Sequence, residues 1–519
     1  MKPAVYLPLD ERPCNRKYPE MLSRMTALPL SLPPEDLYGN KKKPADCAKL
    51  ASWLQQQAVE AESMIVSLDM LVYGGIVPSR LHQASVEQCL NRLEVLSKIK
   101  ERNPQVKIRA FNLIMRVPAY DGDDEEPAYY AQYGRRIHRF GWIEDKRSGG
   151  GLSESENEEL AEITRTVPAE VLDDFTRRRA VNAEVNRHAI RLVRDGVIDL
   201  LIIPLDDNAE YGFSAMEQRQ LIAHAESLEV SDRVHIYPGA DEIGCTLFAR
   251  VFNETVGFQP EFFVRYSSTA APFVIPRYED RSLNESIKAH LTASGSFKSD
   301  SPDSAHVVLC VNAPPVGAAQ AAESTTAFED RSHAYFSETN SKELIQAIKY
   351  YTDRGRLVAL ADTAVSNGSD HVFMKQLSRA GLLGRLSAYA AWNTSGNSLG
   401  TVIAHAAVEA YYRYSGAERS EEQKQLSRLF YVFRLLEDWG YQSLVRSEIT
   451  RYELDSLGGN YFDIAALEAD VSAIAETKLL HFAGTFLQDV HADRISLDRV
   501  YFPWKRMFEI GLDVSWKSE

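Results

Sequence analysis

The sequence predicts an α/β fold with a (β/α)-barrel-like N-terminal unit, a Rossmann-like second α/β unit and a mainly helical C-terminal part. Three observations carry this. Short apolar, often β-branched runs near 3–9, 64–69, 106–114, 198–204, 233–238, 261–266, 305–312, 356–361 and 385–391 read as strands, with a weaker one near 26–32. Amphipathic helical runs separate them, and strand–helix alternation implies a largely parallel sheet or barrel. From about residue 420 the pattern is helical, as in QKQLSRLFYVFRLLEDW and IAALEADVSAIAETKLLHF, before RVYFPWKRMFEIGLDV alternates like a strand. The divisions fall at 1–270, 271–415 and 416–519.

Taken in order, SVEQCLNRLEVLSKIKER (85–102) places Val86, Leu90, Leu93, Leu96 and Ile99 on one helical face. The acidic, aromatic and Gly/Ser-rich stretch 119–160 reads as a long loop or lid with a flexible point at Gly149–Gly151. DDFTRRRAVNAEVNRHAIRLVRDG (173–196) is a long amphipathic helix ending at Gly196. SAMEQRQLIAHAESL (214–228) opens on Ser214 with Glu217 three residues on, a capping-box pattern. Residues 314–330, small and polar, read as a mobile loop.

The chain has 519 residues, 45% hydrophobic and 25% charged, with a formal net charge of −15. That charge argues against nonspecific nucleic-acid binding and against a polybasic membrane anchor. No apolar run approaches the roughly 20 residues of a transmembrane helix. Asp10, Glu11 and Arg12 come too early for a signal-peptide apolar region. Five scattered cysteines with no C-x-x-C spacing fit a reduced, cytoplasmic protein. The C-terminal helices read as packing and as a surface for a homo-oligomer.

The acids fall in a pattern. VYLPLD ends at Asp10, MIVSLD at Asp69, LLIIPLDD at Asp206 and Asp207, VHIYPGADE at Asp241 and Glu242, and RLVALAD at Asp362. Carboxylates are poor strand formers and costly to bury. In parallel α/β folds the carboxyl ends of strands are where ligands bind. Five such ends predict one acidic crevice. YLPLDERPCN, VSLDMLVYGGIVPSR, IPLDDNAEYG, YPGADEIG, ALADTAVSNGSD and AYAAWNTSGNSLG also occur, in this order, in the bacterial family of unknown function numbered 4127, which the chain resembles over nearly its whole length. That resemblance implies that the motifs share one site and leaves the reaction open.

Crowded carboxylates raise at least one pKa and so supply a general acid beside an ionised partner, as glycoside hydrolysis requires. The expected catalytic set is Asp207 and Glu242, oriented by Asp206 and Asp241. Asp241 and Glu242 also suit the cap and first turn of the following helix. Gly-x-Asp-Glu resembles the strand-end pair of family 20 hexosaminidases, and Asp-Asp after an apolar strand resembles the pair of family 84 O-GlcNAcases. Asp10, Arg12, Asn15, Asp69, Arg80, Arg116, Asn208, Asp362, Trp392, Asn393 and Asn397 are the expected substrate-binding residues. Arginines clamp anions, the Gly74–Gly75 pair lets backbone approach a ligand, amides read hydroxyls, and a Trp face packs on a sugar. Ser395–Gly396 opens a helix whose N-terminus can meet an anion.

The reading is a glycosidase-like hydrolase of a small, N-acetylated or acidic carbohydrate, with no cofactor. One alternative is a metal-dependent hydrolase or lyase in which the same aspartates bind a divalent ion, with His82 or His371 as nitrogen ligands. The other is a non-enzymatic sugar or metabolite sensor. No Walker A, G-x-G-x-x-G or H-E-x-x-H motif points to nucleotide or zinc chemistry.

Overall fold

The computed structural model describes residues 1–316 and 322–517. The run 314–330 therefore lies outside the described residues at 317–321, and its remainder contains a 3-10 turn at Phe328–Asp330. The chain divides into two compact units.

The first unit takes residues 1–11, 28–244 and 278–280. Its strands are β1 (Ala4–Leu7), β2 (Leu30–Ser31), β3 (Ser63–Ser67), β4 (Lys107–Phe111), β5 (Leu200–Leu205) and β6 (Val234–Pro238). They pair in parallel in the order β2-β1-β3-β4-β5-β6. This sheet is open, with β2 and β6 as its edges, where a barrel was expected. Barrels and open sheets share the same strand–helix alternation, so local pattern does not separate them. The order reverses at β1, the mark of a doubly wound sheet. Alternate residues Val5, Leu7, Met64, Val66, Ile108, Ala110, Leu201 and Ile203 bury one face against Leu50, Leu54, Leu93, Leu96, Ile190 and Val193 of the helices Cys47–Gln57, Val86–Arg102 and Ala169–Arg194.

The expected lid is mostly helical. Tyr130–Gly150 and Glu154–Thr166 are helices, joined where Gly151 takes a φ of 84° and Ser153 forms a capping box with Glu156. The stretch before Tyr130 and the joint at 151–153 are irregular. The helix Phe213–Ser227 is capped by Gly212 and not by Ser214, whose Oγ donates to the Met115 carbonyl at 3.2 Å while Glu217 pairs with Arg179.

The second unit takes residues 12–27, 245–277 and 281 onward. It holds β7 (Glu261–Tyr266), β8 (Phe297–Lys298), β9 (Val307–Asn312), β10 (Leu357–Asp362) and β11 (Ala388–Ala390), all parallel, in the order β11-β10-β9-β7-β8. Counted from β7 this is 2-1-3-4-5, the same doubly wound order as the first five strands of the first unit, and not the 3-2-1-4-5-6 order of dinucleotide-binding folds. The chain's last apolar stretch forms an antiparallel pair, β12 (Ile495–Tyr501) with β13 (Gly511–Trp516).

Candidate functional site

In the first unit, β3 runs into a short helix, Leu68–Tyr73, capped by the Ser67 hydroxyl, which accepts the Met70 N–H at 3.1 Å. That turn buries Asp69, whose Oδ2 accepts the Leu113 N–H at 2.9 Å. Gly74 closes the helix with a φ of 86°, and a Cβ there would strike the Ala45 backbone, whose N–H donates to the Gly74 carbonyl at 3.0 Å. The approach that Gly74 permits is thus filled by the protein's own chain and not left for a ligand. Gly75 then opens Ile76–Leu81, which carries Arg80.

Arg80 and Arg116 are the centre of a charged cluster. Arg80 donates from Nη1 to Glu125 Oε2 at 2.6 Å and from Nη2 to Asp206 Oδ2 at 2.7 Å. Arg116 donates from Nε and Nη2 to Glu126 Oε1 at 2.9 and 2.8 Å. Its Nη1 lies 3.8 Å from Asp207 Oδ2, beyond hydrogen-bond reach. Asp207 takes a left-handed backbone, φ 49°, and keeps 28% of its side chain exposed. Sequence reasoning missed Glu125 and Glu126. The signal was an acid pair in GDDEEP with no countercharge of its own, able to meet two arginines from strand-end motifs.

These surroundings shift two carboxyls upward. Burial pushes Asp69 to about 7, against the pull of the Leu113 N–H and Arg80. Burial and the neighbouring Asp206 raise Asp207, against Arg116 and Arg80, and its partial exposure lets solvent soften the effect.

β5 and β6 pair through Leu205 and Pro238, so the two strand ends expected to be neighbours are adjacent. Glu242 is fully buried and its Oε2 accepts the Ala240 N–H at 2.9 Å. Gly239 has no Cβ because that atom would collide with Glu242 Oε1. Asp241 is buried too, and both acids immediately precede the helix Ile243–Val256. Asn208 donates its N–H to the Tyr278 carbonyl at 2.9 Å and its Nδ2 to Gln218 Oε1 at 3.4 Å, tying down the loop after Asp207. Asp10 is buried within the same unit.

The second unit holds the other expected residues. The Arg12 guanidinium stacks 4.3 Å from the Trp504 ring centroid with Nη1 3.5 Å from Glu509 Oε1. Asn15 is buried, with Nδ2 3.6 Å from Cys14 Sγ. Asp362 ends β10 and is satisfied at both oxygens, Oδ1 by Asn312 Nδ2 at 2.9 Å and Oδ2 by the Asp370 N–H at 2.8 Å. Burial and Asp370 raise its pKa. It holds the loop that leads to Asp370, the cap of the helix His371–Arg379.

Trp392 is only 7% exposed. Its indole N–H donates to Thr401 Oγ1 at 3.2 Å and its ring meets the Tyr18 ring edge-on at 5.6 Å, so it is a core residue where a sugar platform was expected. Asn393 has a φ of 53° and accepts the Asn367 N–H on its carbonyl at 2.8 Å. Asn397 is buried in the first turn of Ser395–Tyr414, its N–H taken by the Thr394 cap.

Beside Trp392 lies a second cluster that the sequence did not announce. Arg434 is fully buried and pairs with Asp438 and with Glu437, 3.3 Å away, on a segment that continues as the π-helix Leu435–Val445. Asp438 Oδ2 accepts the Ala391 N–H at 2.8 Å, and the Tyr18 hydroxyl donates to Glu437 Oε1 at 2.5 Å.

A family model described as a protein of unknown function, DUF4127, matches residues 4–513. The chain belongs to this family. Neither a search of curated proteins nor one of solved structures gives a match.

For the DUF4127 chain the donor chemistry bears on a metal as follows. Among the described residues, no group of three or more His, Cys, Asp and Glu side chains is placed to hold an ion. His82 spends Nε2 on Asn182 Oδ1 at 2.7 Å and Nδ1 on the Ala84 N–H at 3.2 Å. His371 accepts the Trp439 indole N–H on Nδ1 at 3.0 Å. Asp206, Glu125 and Glu126 are neutralised by guanidinium groups instead. The family 20 likeness also loses its setting, since Gly239–Glu242 follows a strand of an open sheet. What the first unit offers is a protonatable, half-open carboxyl beside a guanidinium.

Proposed function

We propose that the protein is a hydrolase of the glycosidase kind that acts on a small carbohydrate by acid–base catalysis in its first unit, with Asp207 as proton donor. The observation that carries the reading is the open edge of the cluster. Asp207, with its raised pKa, and Arg116 Nη1 stand 3.8 Å apart, so one substrate oxygen can receive a hydrogen bond from each. Asp206, paired to Arg80, is the neighbouring charge. Glu242, buried and turned onto Ala240, shapes the β6 loop. Protonating a leaving oxygen while a guanidinium stabilises it is the acid half of glycoside hydrolysis.

The test is Asp207→Asn, assayed on unactivated disaccharides and on nitrophenyl glycosides. Removing a general acid costs about 10²–10⁴ in rate where the leaving group needs a proton. The loss is expected to be large on disaccharides and much smaller on nitrophenyl glycosides, with the unfolding midpoint unchanged. Wild-type turnover is expected to fall as pH rises past the raised Asp207 pKa, because the donor must be protonated. An Asp207→Asn enzyme as active as wild type on disaccharides removes Asp207 from the role. A sugar that binds the wild type and is never consumed removes the hydrolase.

A further inference from the structure

The second unit has a cavity of its own, about 510 Å³, at the carboxyl end of β7. β8 pairs only with Glu261 and Phe262, so the remainder of β7 is flanked by β9 alone. β8 and β9 leave β7 on opposite sides, which makes β7/β9 the point where the strand order reverses. In doubly wound sheets that is where ligands bind. The volume lies within the roughly 300–1,000 Å³ of small-molecule sites.

The walls are built and not merely open. The Asn340 N–H donates to the Ser267 carbonyl at 2.8 Å, and the Asn340 side chain accepts the Glu343 N–H at 3.1 Å. Ser267 Oγ accepts the Ala313 N–H at 2.9 Å. Arg265 pairs with Glu343 across the lining, and its Nε is buried with no hydrogen-bond partner. Phe263 contributes a half-buried aromatic ring, Ser268 and Thr269 contribute hydroxyls, and Glu338 a carboxylate.

This lining selects by charge and hydrogen bonding. One guanidinium against two carboxylates repels phosphates and other anions. The segment after β7 is a 3-10 turn, Ala271–Phe273, with no glycine-rich loop, and the helix that starts at the lining, Ser341–Asp353, has its first turn capped by the Asn340 side chain and occupied by the acidic Glu343. A neutral polyol offers a donor and an acceptor at each hydroxyl and an apolar ring face, which matches guanidinium, carboxylates, hydroxyls and Phe263 together.

We propose that this cavity is a binding site for a neutral, monosaccharide-sized polyol, separate from the acid–base cluster of the first unit. Phe263 is its packing face, and Arg265, Glu338, Glu343 and the Ser268–Thr269 hydroxyls read the ligand.

The test titrates the full-length protein with glucose and with inositol, by calorimetry and by hydrogen exchange. Binding of either probe is expected to protect the segments around Phe263–Thr269 and Glu338–Glu343 from exchange. Glu338→Gln, an exposed and isosteric change that leaves the fold intact, is expected to weaken binding about tenfold, the worth of one charge-assisted hydrogen bond. Phe263→Ala is expected to weaken it further, and Asp207→Asn to leave it unchanged. The proposal is overturned if neither probe binds, or if binding leaves these segments unprotected and survives both second-unit variants. Binding lost in Asp207→Asn but kept in Glu338→Gln and Phe263→Ala assigns the sugar to the first unit, which overturns this site while leaving the acid–base proposal standing.

Discussion

Replacing Arg434 with methionine is expected to destabilise the second unit by about 3–5 kcal/mol, the usual cost of leaving buried charges without their partner. Arg434 is 0% exposed and faces two carboxylates, Asp438 and Glu437, that are also buried. Its guanidinium further lies 4.1 Å from the Tyr18 ring centroid and 5.0 Å from that of Phe433. Methionine keeps the apolar stem and removes the charge, so the loss reads electrostatics more than volume. Burial already raises Glu437 and Asp438, and without Arg434 both rise further. Since the penalty is that of burying charge, it is expected to shrink as pH falls and the two acids protonate. Urea unfolding at pH 8 and at pH 5 checks this. Adding Glu437→Gln and Asp438→Asn to Arg434→Met is expected to recover much of the loss at pH 8. A single variant as stable as wild type at pH 8 would mean that the cluster is solvated.

That cluster shows where sequence reading stops. Arg434, Glu437 and Asp438 are spaced i, i+3 and i+4, the pattern of a solvent-facing ion-paired helix, and nothing local says that the face is buried. Apart from β8, the strands of both sheets were legible, because short apolar, β-branched runs between helical patterns are a strong local signal. Their order was not, because it is set by which strands pair across the chain. The two-residue β8 is too short to announce itself. The loop reading of 119–160 failed because acidity and glycines outweighed a capping signature, Ser153 with Glu156, that starts a helix. Asp206 and Asp207 were recognised with their arginines, while Glu125 and Glu126, which neutralise those arginines, looked like solvated loop acids. Trp392 was legible as a motif residue but not as a core residue, since its ring packs on Tyr18, far away in sequence.

Asp69→Asn is expected to change the pH dependence of stability in the first unit, in a direction opposite to that of an ordinary ion-paired acid. The folded protein holds the Asp69 carboxyl at about 7, against an ordinary value of 3.8. Below that ordinary value the acid is protonated in both folded and unfolded chains and contributes no difference. Between the two values the folded chain keeps a proton that the unfolded chain has released, so stability falls as pH rises. At roughly 1.4 kcal/mol per pH unit, the full shift amounts to about 4 kcal/mol lost above pH 7. Asparagine cannot ionise, and its carbonyl still accepts the Leu113 N–H. The variant is therefore expected to match wild type near pH 4 and to exceed it increasingly up to pH 8, as read by denaturant midpoints across that range. Equal stabilities at pH 8 would show that Arg80 and the Leu113 N–H fully offset the burial of the Asp69 charge. An acid held at such a cost, within the electrostatic reach of Arg80 and Asp206, is expected to serve the site: the same variant is predicted to bind or turn over carbohydrate less well while folding more stably.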